Sequence, residues 1–160
     1  MTENHPSDQP VLNLEIAPSF HGKVEPEVIR RAVDAGAAAL NLDFNPALTV
    51  VLTGEERIRK LNARYRGVDA PTDVLAFPAD FIDPDLDARY LGDILISVPR
   101  AEAQAEERGH SRSEELQLLV VHGLLHLVGY DHLEEEEKSA MWELQARILD
   151  SLGVEIEIEG

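Results

Sequence analysis

The chain has no cysteine among its 160 residues. Disulfides and thiolate chemistry are therefore excluded, a reducing compartment suits it, and histidine and carboxylate remain as the strong metal ligands. Aromatic residues make up only 5%, and neither Trp142 nor the three tyrosines fall into a spaced stacking series. No apolar run approaches the roughly 20 residues needed to span a bilayer. The start, Met1-Thr2-Glu3-Asn4-His5-Pro6, lacks a basic region followed by an apolar stretch, so a secretory signal is not expected and a cytoplasmic location is. Basic residues are scarce: 14 Lys and Arg stand against 31 Asp and Glu, a formal net charge of −17. Such a body repels polyanions at long range, which argues against a non-specific nucleic-acid binder; no DNA partner is expected.

What is present reads as a disordered leader over residues 1–10, polar with two prolines, followed by a single domain over 11–160. Val11–Ile16 and Ala47–Leu52 read as strands, and Pro26–Leu40 as an amphipathic helix with proline in its first turn and Gly36 as a weak point. Thr53-Gly54-Glu55-Glu56 has the form of a capping box, and Ile58, Leu61 and Tyr65 give the next helix its buried stripe. Gly67–Thr72 is a loop. Asp73–Phe77 is expected as a short strand stopped by Pro78, residues 79–88 as an acidic loop, and Tyr90–Ile96 as a further strand. Ser97 caps a helix with Pro99 in its first turn, and Ser111 with Glu114 caps another. That next helix is apolar nearly all round from Leu116 to Val128, so it is the central, buried one. A last helix spans Glu134 to about Leu152, with Met141, Leu144, Ile148 and Leu149 inward. Val154–Ile158 is an edge strand or a loose tail.

The chemistry concentrates in the run from His122 to His132. His122 and His126 project from one helix face, one turn apart. Gly129 supplies a residue able to take the left-handed conformation that ends a helix and reverses the chain, after which His132 swings back toward the pair. Three imidazoles on one point make a facial metal site with an open fourth corner, the catalytic pattern for zinc. A lone His-x-x-x-His pair would be weak evidence. Here the pair lies on an apolar helix, where unpartnered imidazoles are costly, and a glycine turn and a third histidine follow. The offsets match those of metzincin proteases, His-Glu-x-x-His-x-x-Gly-x-x-His, but Gly123 stands where their glutamate base stands. Peptide hydrolysis by that route is disfavoured. Water activation is not, since zinc lowers the pKa of a coordinated water to about 7.

The basic residues also cluster. Arg57, Arg59, Lys60, Arg64 and Arg66 lie between Glu55 and Arg66, which is five of the 14 in the chain. Alone, this is a solvated helix face; beside a metal site it becomes a strip for phosphates. His5, His21 and His110 read as leader, turn and structural residues. Asp131 either orients an imidazole or caps the turn, and Asp93 is isolated in a strand.

The histidine run resembles the signature of the YbeY family of bacterial metal-dependent endoribonucleases. Leu61–Gly67, Asp69–Pro78 and Leu91–Ser97 are similar to that family's internal motifs, in the same order, with Ala76 where serine is frequent. The resemblance covers about residues 11–152. It implies an α+β fold, a small mixed sheet of about four strands packed with a central buried helix and several others. It also implies single-strand-specific, zinc-dependent RNA cleavage in 16S rRNA 3′ end maturation and late ribosome quality control. One Zn²⁺ would be held by His122, His126 and His132, and Arg66 matches the family's functional arginine. Ribosomal RNA, a small-subunit ribosomal protein and an assembly GTPase are the partners the resemblance suggests. Two alternatives stay open: a zinc hydrolase acting on peptide or amide bonds, and a ribosome-assembly docking factor whose zinc is mainly structural. Nickel, copper or iron also suit three imidazoles.

Overall fold

A computed structural model describes residues 9–85, 87–130 and 135–154. The proposed leader falls almost wholly outside these residues, as do His132 and nearly all of the Val154–Ile158 segment. Among the described residues, four strands form one sheet in the order β1-β2-β4-β3. They are β1 (Val11–Ile16), β2 (Pro46–Thr53), β3 (Val74–Asp83) and β4 (Ala88–Ser97). β1, β2 and β4 run parallel, and β3 lies antiparallel to β4 on one edge. Among the described residues, five α-helices pack around them: α1 (Pro26–Leu40), α2 (Glu55–Arg66), α3 (Val98–Arg108), α4 (Arg112–Leu127) and α5 (Glu135–Ser151). This is the expected α+β fold with a four-stranded mixed sheet. No helix among the described residues is long and apolar enough to cross a membrane.

Strand alternation divides the core in two. Leu48, Val50, Leu52, Ile94 and Ile96 point to the face where α1, α4 and α5 pack. Val51, Leu75 and Leu95 point to the other, where Ile58 and Leu61 of α2 meet them. α4 is the central helix, and its buried residues run from Glu115 to Leu127 on every side except at the histidines. Gly36 has a reason to interrupt α1: a Cβ there would come within 2.6 Å of Leu124 Cδ2, so glycine lets α1 lie close against α4.

Several boundaries differ from the sequence reading. β3 does not stop at Pro78 but continues to Asp83, pairing Pro78 with Gly92 and Ile82 with Arg89. An edge strand tolerates proline because one side of it needs no ladder hydrogen bonds, and the register shift between Pro78 and Phe81 absorbs the misfit. The acidic residues 79–88 are thus mostly hairpin, not loop. Thr53 belongs to β2, and Gly54 takes the N-cap of α2 without a side-chain bond, so the capping box there does not form. Tyr65 is 59% exposed rather than part of the buried stripe. The Ser97 cap and the Ser111–Glu114 capping box both form as read.

Candidate metal centre

α4 ends in a Schellman motif. The Tyr130 amide donates to the Leu125 carbonyl at 3.0 Å and the Gly129 amide to that of His126 at 3.1 Å, with Gly129 at φ +103°. Both bonds satisfy carbonyls that the helix end would otherwise leave open. The glycine turn expected from the sequence is therefore present. His132 lies outside the described residues, and among those described no group of three metal-binding side chains is assembled.

His122 and His126 are half-buried and face one another across one turn. Their Nε2 atoms stand 3.1 Å apart, with ring centroids at 4.6 Å and planes at 71°. Two nitrogens each about 2.0–2.1 Å from one tetrahedral ion would be separated by roughly 3.3 Å. The pair therefore already has the bite that a shared cation needs. His126 also lies in the last turn of α4, where the negative end of the helix dipole favours positive charge. Two imidazoles at this spacing suit a borderline cation such as zinc, nickel or copper without selecting among them.

Behind the pair, α5 contributes a residue that the sequence reading missed. His122 Nδ1 donates to Oε1 of Gln145 at 2.9 Å, and Gln145 is fully buried. The Trp142 ring lies beside His122, centroid to centroid 6.0 Å. The one sequence signal for it is a glutamine among inward apolar residues.

Arg66 ends α2 and is exposed. Its Nη2 donates to the Ala76 carbonyl of edge strand β3 at 2.9 Å, and its guanidinium lies 5.8 Å from the Phe77 ring centroid. The link to the histidines runs through the sheet. Ala76 is the register partner of Ile94, and Ile94 packs against Gly123, next to His122. Arg66 thus bonds the strand residue whose register partner, Ile94, packs against the helix turn that carries His122. The helix end that carries Arg66 is held by Gly67 at φ +71° and by Asn62 Nδ2 donating to the Ala70 carbonyl at 2.9 Å.

The basic strip is smaller than its sequence suggests. Arg59 bonds Glu56 at 2.7 Å and Asp69 at 2.5 Å, so it pins the loop instead of facing solvent alone. These hydrogen bonds, to Glu56 first and then Asp69, hold the Arg59 guanidinium further above its usual range and lower the Glu56 carboxyl. Among described residues, Arg57, Lys60 and Arg64 form no ion pair.

His5 and Asp131 lie outside the described residues, and the other polar candidates make structural contacts. His110 Nε2 and Arg108 Nη1 bond the fully buried Glu115 carboxylate at 2.5 and 3.1 Å, joining α3 to α4. His21 Nε2 bonds the Ile16 carbonyl at 2.7 Å. Asp93 accepts the Tyr90 hydroxyl, which also meets Thr49 Oγ1 at 2.6 Å.

The likeness to known proteins agrees with this frame. A family model described as Endoribonuclease YbeY matches residues 19–153. A Brevibacillus brevis protein named Endoribonuclease YbeY is 41% identical over 162 aligned positions, covering 90% of this chain and 99% of its own. Its Heliobacterium modesticaldum counterpart is 49% identical over 119 positions, covering 69% and 72%. The solution structure of TM1509 from Thermotoga maritima matches with a TM-score of 0.61 at 27% identity, covering 89% of both chains. The class is that of nucleases acting on phosphodiester bonds. Within it, the chain belongs to the YbeY endoribonuclease family.

Proposed function

We propose that this protein is a zinc-dependent endoribonuclease that cuts single-stranded RNA, acting in 16S rRNA 3′ end maturation and late ribosome quality control in the cytoplasm. The observation that carries the reading is the 3.1 Å convergence of His122 and His126 Nε2 near the end of a helix that closes at the Gly129 turn. His122, His126 and His132 would hold one ion. When bound, it supplies Lewis acidity and a lowered pKa for water at neutral pH.

The chain's own groups supply the rest. Arg66 offers a planar fork of donors that suits a phosphodiester. In this structure one of them rests on the Ala76 carbonyl, a neutral acceptor that an anionic phosphate would outcompete. Arg57, Lys60 and Arg64 extend positive charge along the same helix, short of a long polyanion-binding surface. An acidic body with one small basic strip favours substrate delivered within an assembly, and suits docking to basic ribosomal proteins or an assembly GTPase.

The test is cleavage of end-labelled single-stranded RNA by zinc-loaded protein, with His126→Ala purified in parallel. Cleavage by the parent and none by the variant is the expected result. Equal cleavage by both would identify a contaminant, and that outcome, or no cleavage by either, would overturn the enzymatic reading in favour of a docking factor.

A further inference from the structure

Gln145 occupies the middle of α5, between Met141 and Leu144 on one side and Ile148 and Leu149 on the other, all buried. Its own side chain is fully buried. Its Oε1 accepts from His122 Nδ1 at 2.9 Å, while its Nε2 has no hydrogen-bond partner. A buried amide donor left unsatisfied costs about 1–3 kcal/mol. A leucine would fill the same apolar position without that cost. The residue is therefore poorly explained by stability and well explained by the one bond that it makes.

We propose that Gln145 is a positioning residue that fixes the tautomer of His122. The inference rests on the metal reading of the histidine pair and adds a residue outside it. An amide oxygen only accepts, so the imidazole must carry its proton on Nδ1. Its Nε2 then presents a lone pair on the side where His126 Nε2 stands 3.1 Å away. In the other tautomer Nε2–H points at His126, and the bite is blocked by a proton. With the amide reversed, its NH₂ would face Nδ1 and select that blocked form. Ring orientation is set by the same bond, with Trp142 at 6.0 Å as a side wall. Partners of this kind behind a ligating histidine typically change metal affinity by 10–100-fold when removed.

The experiment reads the tautomer directly. Long-range ¹H–¹⁵N correlation spectra of metal-free protein, at a pH where imidazoles are neutral, should show His122 protonated on Nδ1 in the parent and in Gln145→Glu. Gln145→Leu should shift His122 toward the Nε2-protonated form. Zinc affinity by chelator competition should fall 10–100-fold in Gln145→Leu and recover to within a few-fold in Gln145→Glu, which keeps an acceptor. A parent spectrum with the proton on Nε2 would overturn the proposal whether or not any variant folds. So would an unchanged tautomer and affinity in folded Gln145→Leu. Failure of the parent to bind zinc would overturn the metal reading instead, and the metal-free spectrum would still decide the role of Gln145.

Discussion

Gly123 rests on Ile94. A Cβ added at Gly123 would stand 2.8 Å from Ile94 Cγ2, closer than two carbons can pack. The glycine lets α4 lie on β4 near the turn that carries both histidines. It also bears on the comparison with proteases. The point from which a glutamate base would have to leave the helix is filled by the sheet. Gly123→Ala should therefore destabilise by about 1–3 kcal/mol through overpacking, measured by urea unfolding. Combined with Ile94→Ala, which alone should cost about 2–5 kcal/mol, the double variant should be more stable than the sum of the two losses predicts. Strict additivity would show that the contact does not govern the packing.

Arg66→Ala should lower RNA cleavage by about 10²–10³-fold, the usual loss for one charge-stabilising donor, while metal content by elemental analysis stays at the parent level. The separation follows from geometry, since Arg66 bonds a strand carbonyl and stacks near Phe77 without bonding either histidine. Arg66→Lys should not restore full activity, because a point charge replaces a planar fork. Loss of metal from Arg66→Ala would contradict this division of roles.

How much of this was legible in the sequence depended on how local the cause was. The α4 capping box, the Ser97 cap, the span of α1 and the glycine turn after His126 are short-range devices, and each forms where its residues predict it. Gly36 looked like a defect in α1 because its reason, Leu124, is on another helix. Pro78 looked like a strand end because edge position is a property of the sheet, not of the strand. Tyr65 fits a buried helical stripe by spacing, yet α2 ends at the sheet margin and leaves the ring outside. Gln145 shows the same limit at the candidate site. Its partner is 23 residues away, and only the packing of α5 on α4 brings the two together.

Glu115 gives a stability test independent of the site. Its carboxylate is fully buried on α4 and receives Arg108 and His110 from the end of α3 and the loop beyond. Removing one partner of such a cluster leaves the others with an unmet charge or donor. Glu115→Ala should cost about 3 kcal/mol, the lower end of the range for a broken buried pair, because Arg108 is half exposed and can turn to water. Denaturant unfolding reads it directly. RNA cleavage per folded molecule should remain at the parent level, and a selective loss of turnover would place this cluster in the catalytic machinery instead.

Tyr90 carries a pH dependence with a definite sign. Burial first, and then its hydrogen bond to Asp93, push the phenol up to about 12; in an unfolded chain it titrates near 10. Between these values the unfolded state has released a proton that the native state still holds. Stability linked to Tyr90 is therefore complete below about pH 10 and is lost as pH rises toward 12. Other tyrosines and lysines titrate in the same window, so the readout is the difference between parent and Tyr90→Phe unfolding free energies. That difference should move against the parent across this range and stay level below it. Absorbance of the tyrosinate should show one phenol ionising late in the parent and absent from the variant. A constant difference across the whole range would mean that the Thr49–Tyr90–Asp93 chain opens before the phenol ionises.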